Sequence, residues 1–448
     1  MKRIKPGARR RTAPLLVLGA AIGLCSMSAL GAHDEAFELD HGADGANIVN
    51  DAGAPAVDWA DLFDVTGIDE PTPKGTLPAG FGVATFVRDF VPGQKGPDAT
   101  AYTSGSADVN DISSWSCTRK NNIGNKFNIV NAYATAYVNG DGETILYFAL
   151  ERRGNEGTAA AGFWFLKDGS VGCAHPSGGG STSFSGNHQD GDLLVIADYT
   201  GGGSVGTIRA YKWEGGPGGF LNPTPVVAPV DADCATAGVG DDGCATINHV
   251  SIDGYGPGTD IPWLTETQQP GNTPSNDLDT LLFLEGGINL TQNGLDACFA
   301  TFHATTRSSD SLTAEKHDYV TGSFPLCKVE LSKTCSNAGG YNETTGKIEI
   351  PFAITVNNTG TSPVDNIVAT DNMCGYGSMD FNFGPIAAGA SDTQNGTCSI
   401  DPGTDLSAGI DNGVSATAGD GVSVVLADSC ITRNDDGLCY AACGVNAD

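Results

Sequence analysis

Short runs of apolar residues, some alternating with polar ones, recur along most of the chain. The stretch NAYATAYV-NGDG-ETILYFAL, residues 131–150, contains two such runs around Asn-Gly and Asp-Gly. Both runs are rich in aromatic and β-branched residues, and Asn, Asp and Gly tolerate the positive φ that a tight hairpin requires. The pattern predicts two strands joined by a turn, and similar runs elsewhere predict an all-β protein.

The stretch GDLLVIADYTGGGSVGTIRAYKW, residues 191–213, allows two interpretations. A phosphate-binding loop would need a helix after its glycines, so that the helix N-terminus faces the anion. The glycines are followed instead by TIRAYKW, in which β-branched and aromatic residues recur with a period of two. We therefore predict a hairpin whose connector contains the glycines.

The runs divide into two regions. Over residues 56–327 they predict a large antiparallel β-sandwich, jelly-roll-like in type. Residues 328–430 contain short strands spaced by turns, which predicts an Ig-like β-sandwich. A cysteine-bearing tail, residues 431–448, follows. Within the first region, ACFATFHATTRSS at 297–309 is also compatible with a short helix.

The first residues have the pattern of a secretory signal peptide. A basic segment, MKRIKPGARRR, precedes an apolar run that ends in small residues, and we assign residues 1–32 to this signal. The alternative, a membrane anchor, needs about 20 apolar residues. Residues 33–55 are acidic and rich in Gly and Ala and are predicted to form an extended lead-in. We expect an exported protein with no membrane span once the signal is removed.

The cysteines agree with export. The chain has 13, and Cys25 lies in the signal, which leaves an even number. An even number in an exported chain is read most simply as a set of disulfides. The pairs that we favour are Cys117 with Cys173, Cys234 with Cys244, and Cys298 with Cys327. The six C-terminal cysteines remain unassigned.

The charge of the chain limits its partners. Lys and Arg number 23 and Asp and Glu 53, a net charge of −30. Such a surface repels nucleic acids and anionic lipids, so neither is expected as a partner. It is typical of a salt-tolerant protein, and it also favours divalent cations. We predict no cofactor, with a structural calcium as the alternative, because calcium prefers several carboxylates and carbonyls from loops. The candidate ligands, all in turns at the ends of β runs, are Asp108, Asp111, Asp141, Asp190 and Asp192.

Catalytic motifs are scarce in this sequence. It contains neither H-E-x-x-H nor G-x-S-x-G. His188 is the best-placed histidine for a site because Asp190 and Asp192 follow it, although a polar turn before a strand explains the same residues. A glycosidase needs only two carboxylates, for which Glu151 and Glu285 are the candidates. Either could instead be the partner of an arginine, and we predict no catalytic residues.

Several motifs occur in order: FELD, NAYATAY, GFWF, GDLLVIADYTGGGSVGTIRAYKW and FLEGGINLT. Together they resemble a family of uncharacterised bacterial exported proteins, over residues 35–327. From residue 328, the segments VELSKTC, ITVNNTG and VDNIVATDNMC resemble the Ig-like conserved-repeat domain of bacterial surface proteins. These resemblances imply an extracellular location and a modular architecture, and they imply no particular chemistry.

The sequence thus predicts a non-enzymatic, exported structural or adhesion protein of the cell surface or extracellular matrix. Its expected partners are other surface or matrix components, glycans among them. The five tryptophans are spread singly, which fits packing better than a sugar-binding platform, and we expect Trp164 and Trp213 to anchor the core. Two alternatives remain: a calcium-assisted carbohydrate-binding module, and a secreted glycoside hydrolase that uses two carboxylates.

Overall fold

The computed structural model describes residues 57–445, together with Ala32 and Leu39, apart from the gaps given next. These gaps are 91–97, 121–122, 156, 175–179, 200–204, 230, 235–241, 255–260, 270–272, 296–297, 336–339, 361–362, 376, 405–410, 420–421, 427–430 and 433–440. The predicted signal peptide and acidic lead-in therefore fall outside the described residues, except at those two positions. Among the described residues, no helix combines the length and the apolar character needed to cross a membrane.

The first part of the chain is built almost entirely of strands. They are β1 Phe63–Asp64, β2 Thr72–Pro73, β3 Phe81–Arg88, β4 Asp98–Tyr102, β5 Ser116–Lys120, β6 Ile129–Val138, β7 Thr144–Arg152, β8 Ala159–Leu166, β9 Ser181–Ser183, β10 Leu193–Tyr199, β11 Val205–Glu214, β12 Phe220–Leu221, β13 Gly243–Ile247, β14 Thr267–Gln269, β15 Thr273–Ser275, β16 Phe283–Asn289, β17 Thr301–Arg307 and β18 Lys316–Ser323. The helical segments are one turn of α-helix, Trp59–Leu62, and a 3-10 turn, Ile112–Ser114.

Two antiparallel sheets form what we call the main sandwich. The larger sheet has nine strands in the order β12-β11-β10-β8-β17-β18-β4-β5-β9, and the smaller has five in the order β13-β16-β7-β6-β3. Side chains such as Phe148 from the smaller sheet and Phe163 from the larger pack in contact between them. The predicted all-β sandwich is confirmed.

Both sheets are covered on their outer faces as well. Trp164 and Trp213 are fully buried outside the nine-stranded sheet, and Tyr133 and Trp263 outside the five-stranded sheet. Strands β7 and β8 are consequently buried at every residue. This explains why they read as continuous apolar runs in the sequence, since a strand with two buried faces loses its alternation. The predicted role of Trp164 and Trp213 as core anchors is confirmed.

The segment that raised the phosphate-loop question is a hairpin. Strands β10 and β11 pair in antiparallel register, with Leu193 opposite Lys212 and Ala197 opposite Ile208. The glycine-rich connector lies outside the described residues. The helix considered at 297–309 is wrong, because Thr301–Arg307 is strand β17. Its Thr, Phe and His residues pair with β8 on one side and β18 on the other, and two full ladders outweigh local helix propensity.

The rest of the chain forms a second unit, the C-terminal sandwich. Its strands are β19 Cys327–Cys335, β20 Gly340–Asn342, β21 Lys347–Asn358, β22 Ile367–Asp371, β23 Met379–Phe383, β24 Ser391–Ile400, β25 Asp411–Thr417, β26 Val422–Leu426, β27 Ile431–Thr432 and β28 Ala441–Val445. One sheet has the order β20-β21-β19-β26 with β24 beside β21, and the other has the order β23-β22-β25-β28-β27. A short 3-10 turn, Met373–Gly375, follows β22. The tail assigned to 431–448 thus supplies β27 and β28.

All three predicted disulfides are present. Cys117 is bonded to Cys173, Cys234 to Cys244, and Cys298 to Cys327. A fourth, between Cys374 and Cys398, closes a connection within the C-terminal sandwich. The Cys298–Cys327 bond joins the segment before β17 to the first residue of β19, and it therefore links the two sandwiches covalently.

Candidate functional site

A group of charged side chains is buried on the outer face of the nine-stranded sheet. Asp108 comes from the loop after β4, Arg307 from the end of β17 and Lys316 from the start of β18, and none is exposed. We call these three residues the Asp108 cluster. The Asp108 carboxylate lies 2.6 Å from Arg307 Nη1 and 3.7 Å from Lys316 Nζ. Trp164 Nε1 donates a 2.8 Å hydrogen bond to it. One carboxylate therefore holds two buried basic groups.

The environment of this cluster shifts the pKa of two of its members. Burial lowers the pKa of Lys316 to about 7, against the attraction of Asp108, and Arg307 lowers it further. The Lys316 ammonium lies 3.0 Å from the centre of the Trp115 ring. Burial alone would raise the pKa of Asp108, but Arg307 and Lys316 outweigh it and the pKa lies below its usual value. Asp108 is therefore ionised at neutral pH.

Two histidines border the Asp108 cluster. His303 contacts the Tyr102 hydroxyl at 2.5 Å through Nε2 and the Thr321 hydroxyl at 2.7 Å through Nδ1. His188 Nδ1 lies 2.9 Å from Asp192 Oδ2. Burial lowers the pKa of both imidazoles, in His188 against the opposing effect of Asp192. Each ring nitrogen of His303 thus has a hydrogen-bond partner, whereas His188 Nε2 is buried without one among the described residues.

A second group contains three carboxylates, Asp89, Asp98 and Asp318, which we call the carboxylate triad. Each offers one oxygen, and these oxygens lie within 4.8 Å of one another. Asp89 follows β3, Asp98 begins β4 and Asp318 is the third residue of β18. Since β3 belongs to the five-stranded sheet and β4 and β18 to the nine-stranded sheet, the triad lies where the two sheets meet.

A β-bulge places Asp318 in the triad. In a regular strand Lys316 and Asp318 would face the same side, because side chains alternate with a period of two. Here Arg307 pairs with Lys316 while Thr306 pairs with Asp318, so His317 is the extra residue. The bulge turns Lys316 outward to the Asp108 cluster and Asp318 inward between the sheets. The backbone N–H of Ile129 donates a 2.8 Å hydrogen bond to the Asp318 carboxylate.

The triad concentrates negative charge in a partly enclosed place. Burial raises the pKa of Asp89 well above its usual value, and Asp98 raises it further. Burial, then Asp89 and Asp98, do the same for Asp318. Carboxylates this close either share protons or bind a cation. Hard divalent cations such as calcium take oxygen ligands of this kind, so the triad could hold one.

The five calcium candidates from the sequence do not converge. Asp108 faces Arg307, and the Asp192 carboxylate accepts hydrogen bonds from the backbone N–H groups of Lys167 and Gln189 in addition to its contact with His188. Among the described residues, the group with carboxylates close enough to share an ion is the triad, and it contains none of the five.

The remaining three candidates have local roles. Asp111 begins the 3-10 turn and accepts hydrogen bonds from the backbone N–H groups of Ser113 and Gly218. Asp190 accepts one from the backbone N–H of Gly215, and Asp141 is exposed in the turn between β6 and β7.

The two carboxylates proposed for a hydrolase lie on one face of the five-stranded sheet. Glu151 in β7 pairs with Phe283, and Glu285 in β16 pairs with Ala149, so the two are diagonal neighbours across adjacent strands. Both are fully buried beneath aromatic side chains. Trp59 Nε1 donates a hydrogen bond of 3.0 Å to Glu285. Glu151 and Glu285 therefore share one face of the sheet, but neither side chain is exposed to solvent.

Glu151 has a strongly shifted pKa. It accepts hydrogen bonds from Trp263 Nε1 at 2.8 Å, Asn131 Nδ2 at 2.6 Å and the Tyr133 hydroxyl at 3.1 Å. Burial raises its pKa from 4.5 to about 7, although these three donors oppose the increase. The carboxyl is thus divided between its neutral and ionised forms near neutral pH.

This pKa predicts a pH-dependent stability. The folded state holds the Glu151 proton up to about pH 7 while the unfolded chain releases it near 4.5, so the free energy of unfolding falls as pH rises between these values. We expect the contribution to approach about 3 kcal/mol. The variant Glu151→Gln cannot ionise, and urea unfolding at pH 5 and pH 8 should show a smaller decline than in the parent. The exposed Glu343→Gln is the control, and equal declines in all three proteins would contradict the assignment.

Comparison with known proteins assigns no role to these groups of side chains. No family model matches the chain, and no curated protein matches it significantly. The candidate sites therefore rest on their own geometry.

Proposed function

We propose that this chain is an exported, non-enzymatic structural or adhesion protein of the cell surface or extracellular matrix. Four disulfides among the described residues carry the proposal. Bonds of this kind persist in oxidising compartments, and one of them fastens the two sandwiches together. The charged groups described above support it further. Asp108 is paired with Arg307, and Glu151 accepts three hydrogen bonds from protein donors, an arrangement that stabilises a fold.

The location can be tested by comparing the full chain with a variant that lacks residues 1–32 in a bacterial host. We expect the full chain to leave the cytoplasm and to be cut by protease added to intact cells, with its cysteines protected from alkylation until a reductant is added. The truncated chain should stay inside with reactive thiols. Retention of the full chain in the cytoplasm with free thiols would overturn the proposal.

Cation binding is a second candidate, and the carboxylate triad favours it. Three carboxylates near one another are destabilising unless a proton or a cation offsets their repulsion. This keeps open the calcium-assisted carbohydrate-binding module, with Asp89, Asp98 and Asp318 as ligands in place of the loop residues proposed from the sequence. Glycan binding that depends on calcium would distinguish this module from a purely structural protein.

Thermal unfolding with calcium, with EDTA, and with EDTA plus magnesium tests the triad. We expect calcium to raise the melting temperature of the parent and magnesium to substitute poorly. Asp89→Asn should be more stable than the parent in EDTA, because Asn avoids both the repulsion from Asp98 and the cost of burying a carboxylate, and it should gain less from calcium. Asp141→Asn, in an exposed turn, should behave as the parent. A parent that does not respond to calcium would exclude the site, and loss of the response in Asp141→Asn would move it to that turn.

The hydrolase alternative has less support. Glu151 and Glu285 share a face of the sheet, but a sugar could reach them only if the tryptophans that donate to them, Trp59 and Trp263, moved away. An enclosed, hydrogen-bonded carboxylate pair fits a polar layer of the core better than a substrate cleft. Hydrolysis of glycans by the parent, abolished in Glu151→Gln, would restore this alternative.

A further inference from the structure

Two residues of opposite charge occupy inward positions in the C-terminal sandwich. In β19 the alternate residues Val329, Leu331 and Lys333 are buried, and Lys333 thus continues an apolar row. In β22, Asp371 likewise continues the buried row of Ile367 and Ala369. Charged residues are rarely buried unless they are paired. Since β19 and β22 belong to different sheets, the two rows face each other across the core.

The side chains of Lys333 and Asp371 are in direct contact. Lys333 Nζ meets Asp371 Oδ2, and both side chains have no exposed surface. The Phe352 ring centre lies 4.2 Å from the lysine nitrogen. The other carboxylate oxygen, Oδ1, accepts a 2.8 Å hydrogen bond from the backbone N–H of Met373. The next residue, Cys374, is bonded to Cys398 in β24, which holds the turn that presents Asp371.

From this arrangement we propose that Lys333 and Asp371 condense to an intramolecular amide, an isopeptide bond that ties β19 to β22 across the sandwich. The inference concerns the covalent structure of the chain and does not depend on the function proposed above. Its product is neutral, so it removes two buried charges whose desolvation opposes folding.

The geometry accounts for each step of the condensation. In an apolar site an ammonium and a carboxylate in contact exchange a proton readily, which leaves a neutral amine and a carboxylic acid. The lone pair of Lys333 Nζ then attacks Asp371 Cγ, and the new C–N bond gives a tetrahedral centre. Its developing oxyanion, at Oδ1, is stabilised by the Met373 N–H, as in an oxyanion hole. The hydroxyl leaves with the proton from nitrogen as one water, so no other reactant is needed.

Fixed proximity is what makes such a reaction feasible. Two groups held in contact by a folded core react as if at very high effective concentration. The other lysine–aspartate contacts of the described residues lack one of the requirements. Lys316 lies 3.7 Å from Asp108, whose carboxylate is already engaged by Arg307. Lys347 and Asp401 are 40% and 62% exposed, so water surrounds them.

Intact mass spectrometry of the purified, reduced and alkylated protein tests the bond directly. We expect the parent to be lighter than its sequence mass by one water. Lys333→Arg keeps the charge but cannot form this amide, and Asp371→Ala removes the acyl group, so both should have the full sequence mass. Lys347→Arg, at the exposed pair, should retain the loss. A parent of full sequence mass after complete folding would overturn the proposal and leave an ion pair.

Digestion with chymotrypsin locates the bond. The enzyme cuts after aromatic residues, and Tyr341 and Phe352 lie between the two positions. The fragments that contain Lys333 and Asp371 should therefore be recovered joined in the parent, and separately in Lys333→Arg. A parent chain isolated unfolded from inclusion bodies, before any amide has formed, adds a readout that needs no variant. Its mass should fall by one water only as the core forms during refolding, and a mass that stays at the sequence value after complete refolding would contradict the mechanism.

Discussion

Replacing Asp108 with Asn should lower the free energy of unfolding by about 3–5 kcal/mol, the range expected when one partner of a buried ion pair is removed. Asn preserves the shape and the acceptor for Trp164 Nε1, but it leaves Arg307 and Lys316 without the anion they share. Both basic groups are fully buried, so water cannot replace the lost carboxylate. Equilibrium unfolding in urea, with disulfides intact, measures the loss.

The matched control removes an ion pair of the same chemistry from the surface. Asp310 lies 3.3 Å from Arg209, and these side chains are 42% and 39% exposed. Asp310→Asn should therefore change the free energy of unfolding by less than about 1 kcal/mol. If the two variants lost equal stability, the Asp108 cluster would be hydrated in solution, and its role in the fold would have to be abandoned.

Removing the Cys117–Cys173 disulfide should have the next largest effect. The bond closes a loop with a sequence separation of 56, and a cross-link of that span restricts the unfolded chain enough to contribute about 4 kcal/mol. The double variant Cys117→Ala/Cys173→Ala removes it without leaving a free thiol. We expect its urea midpoint to fall clearly below that of the parent.

The Cys234–Cys244 bond provides a comparison of the same type. Its separation is only 10, and the same reasoning gives about 3 kcal/mol for Cys234→Ala/Cys244→Ala. Cys117, Cys234 and Cys244 are buried and Cys173 is half-buried, so the two double variants lose similar packing. A larger loss from the short loop than from the long one would show that native packing, and not the unfolded chain, dominates these disulfides.

Much of the fold could be predicted from local pattern. The hairpin at 191–213 followed from period-two alternation and from the lack of helical spacing after the glycines, and the described strands pair as expected. Three disulfides could be chosen because their cysteines follow one another along the chain. The strand at 301–307 was harder, since its neighbours β8 and β18 decide its conformation and only one of them is adjacent in sequence.

The candidate sites depended on information that no local pattern carries. Asp108 meets Arg307, and Asp98 meets Asp318, only because the sheets bring distant strands together. The bulge at His317 places Lys316 and Asp318 on opposite faces of the sheet. No residue in the segment KHDYV predicts this bulge.

The Lys333–Asp371 pair is different, because its signal is visible in the sequence. VELSK and IVATD each end an alternating apolar row with a charge at an inward position. A charged residue in phase with a buried apolar row is rarely buried without a partner of opposite charge. Two such rows, one ending in a lysine and the other in an aspartate, can supply this partner to each other within one small sandwich. The Lys333–Asp371 pair could have been predicted from the sequence by asking which charged residues fall on the buried face of an alternating strand.

The Cys298–Cys327 bond has a mechanical consequence. If the C-terminal sandwich were pulled away from the main sandwich, tension would enter through β19, whose first residue is bonded to Cys298. The load would pass from Cys327 directly to Cys298 and would bypass β17 and β18, which lie between the two cysteines in sequence. Arg307, Lys316 and Asp318 all lie in this bypassed hairpin. Strands β17 and β18, with these three buried charges, would therefore bear none of the tensile load along the chain while this bond is intact.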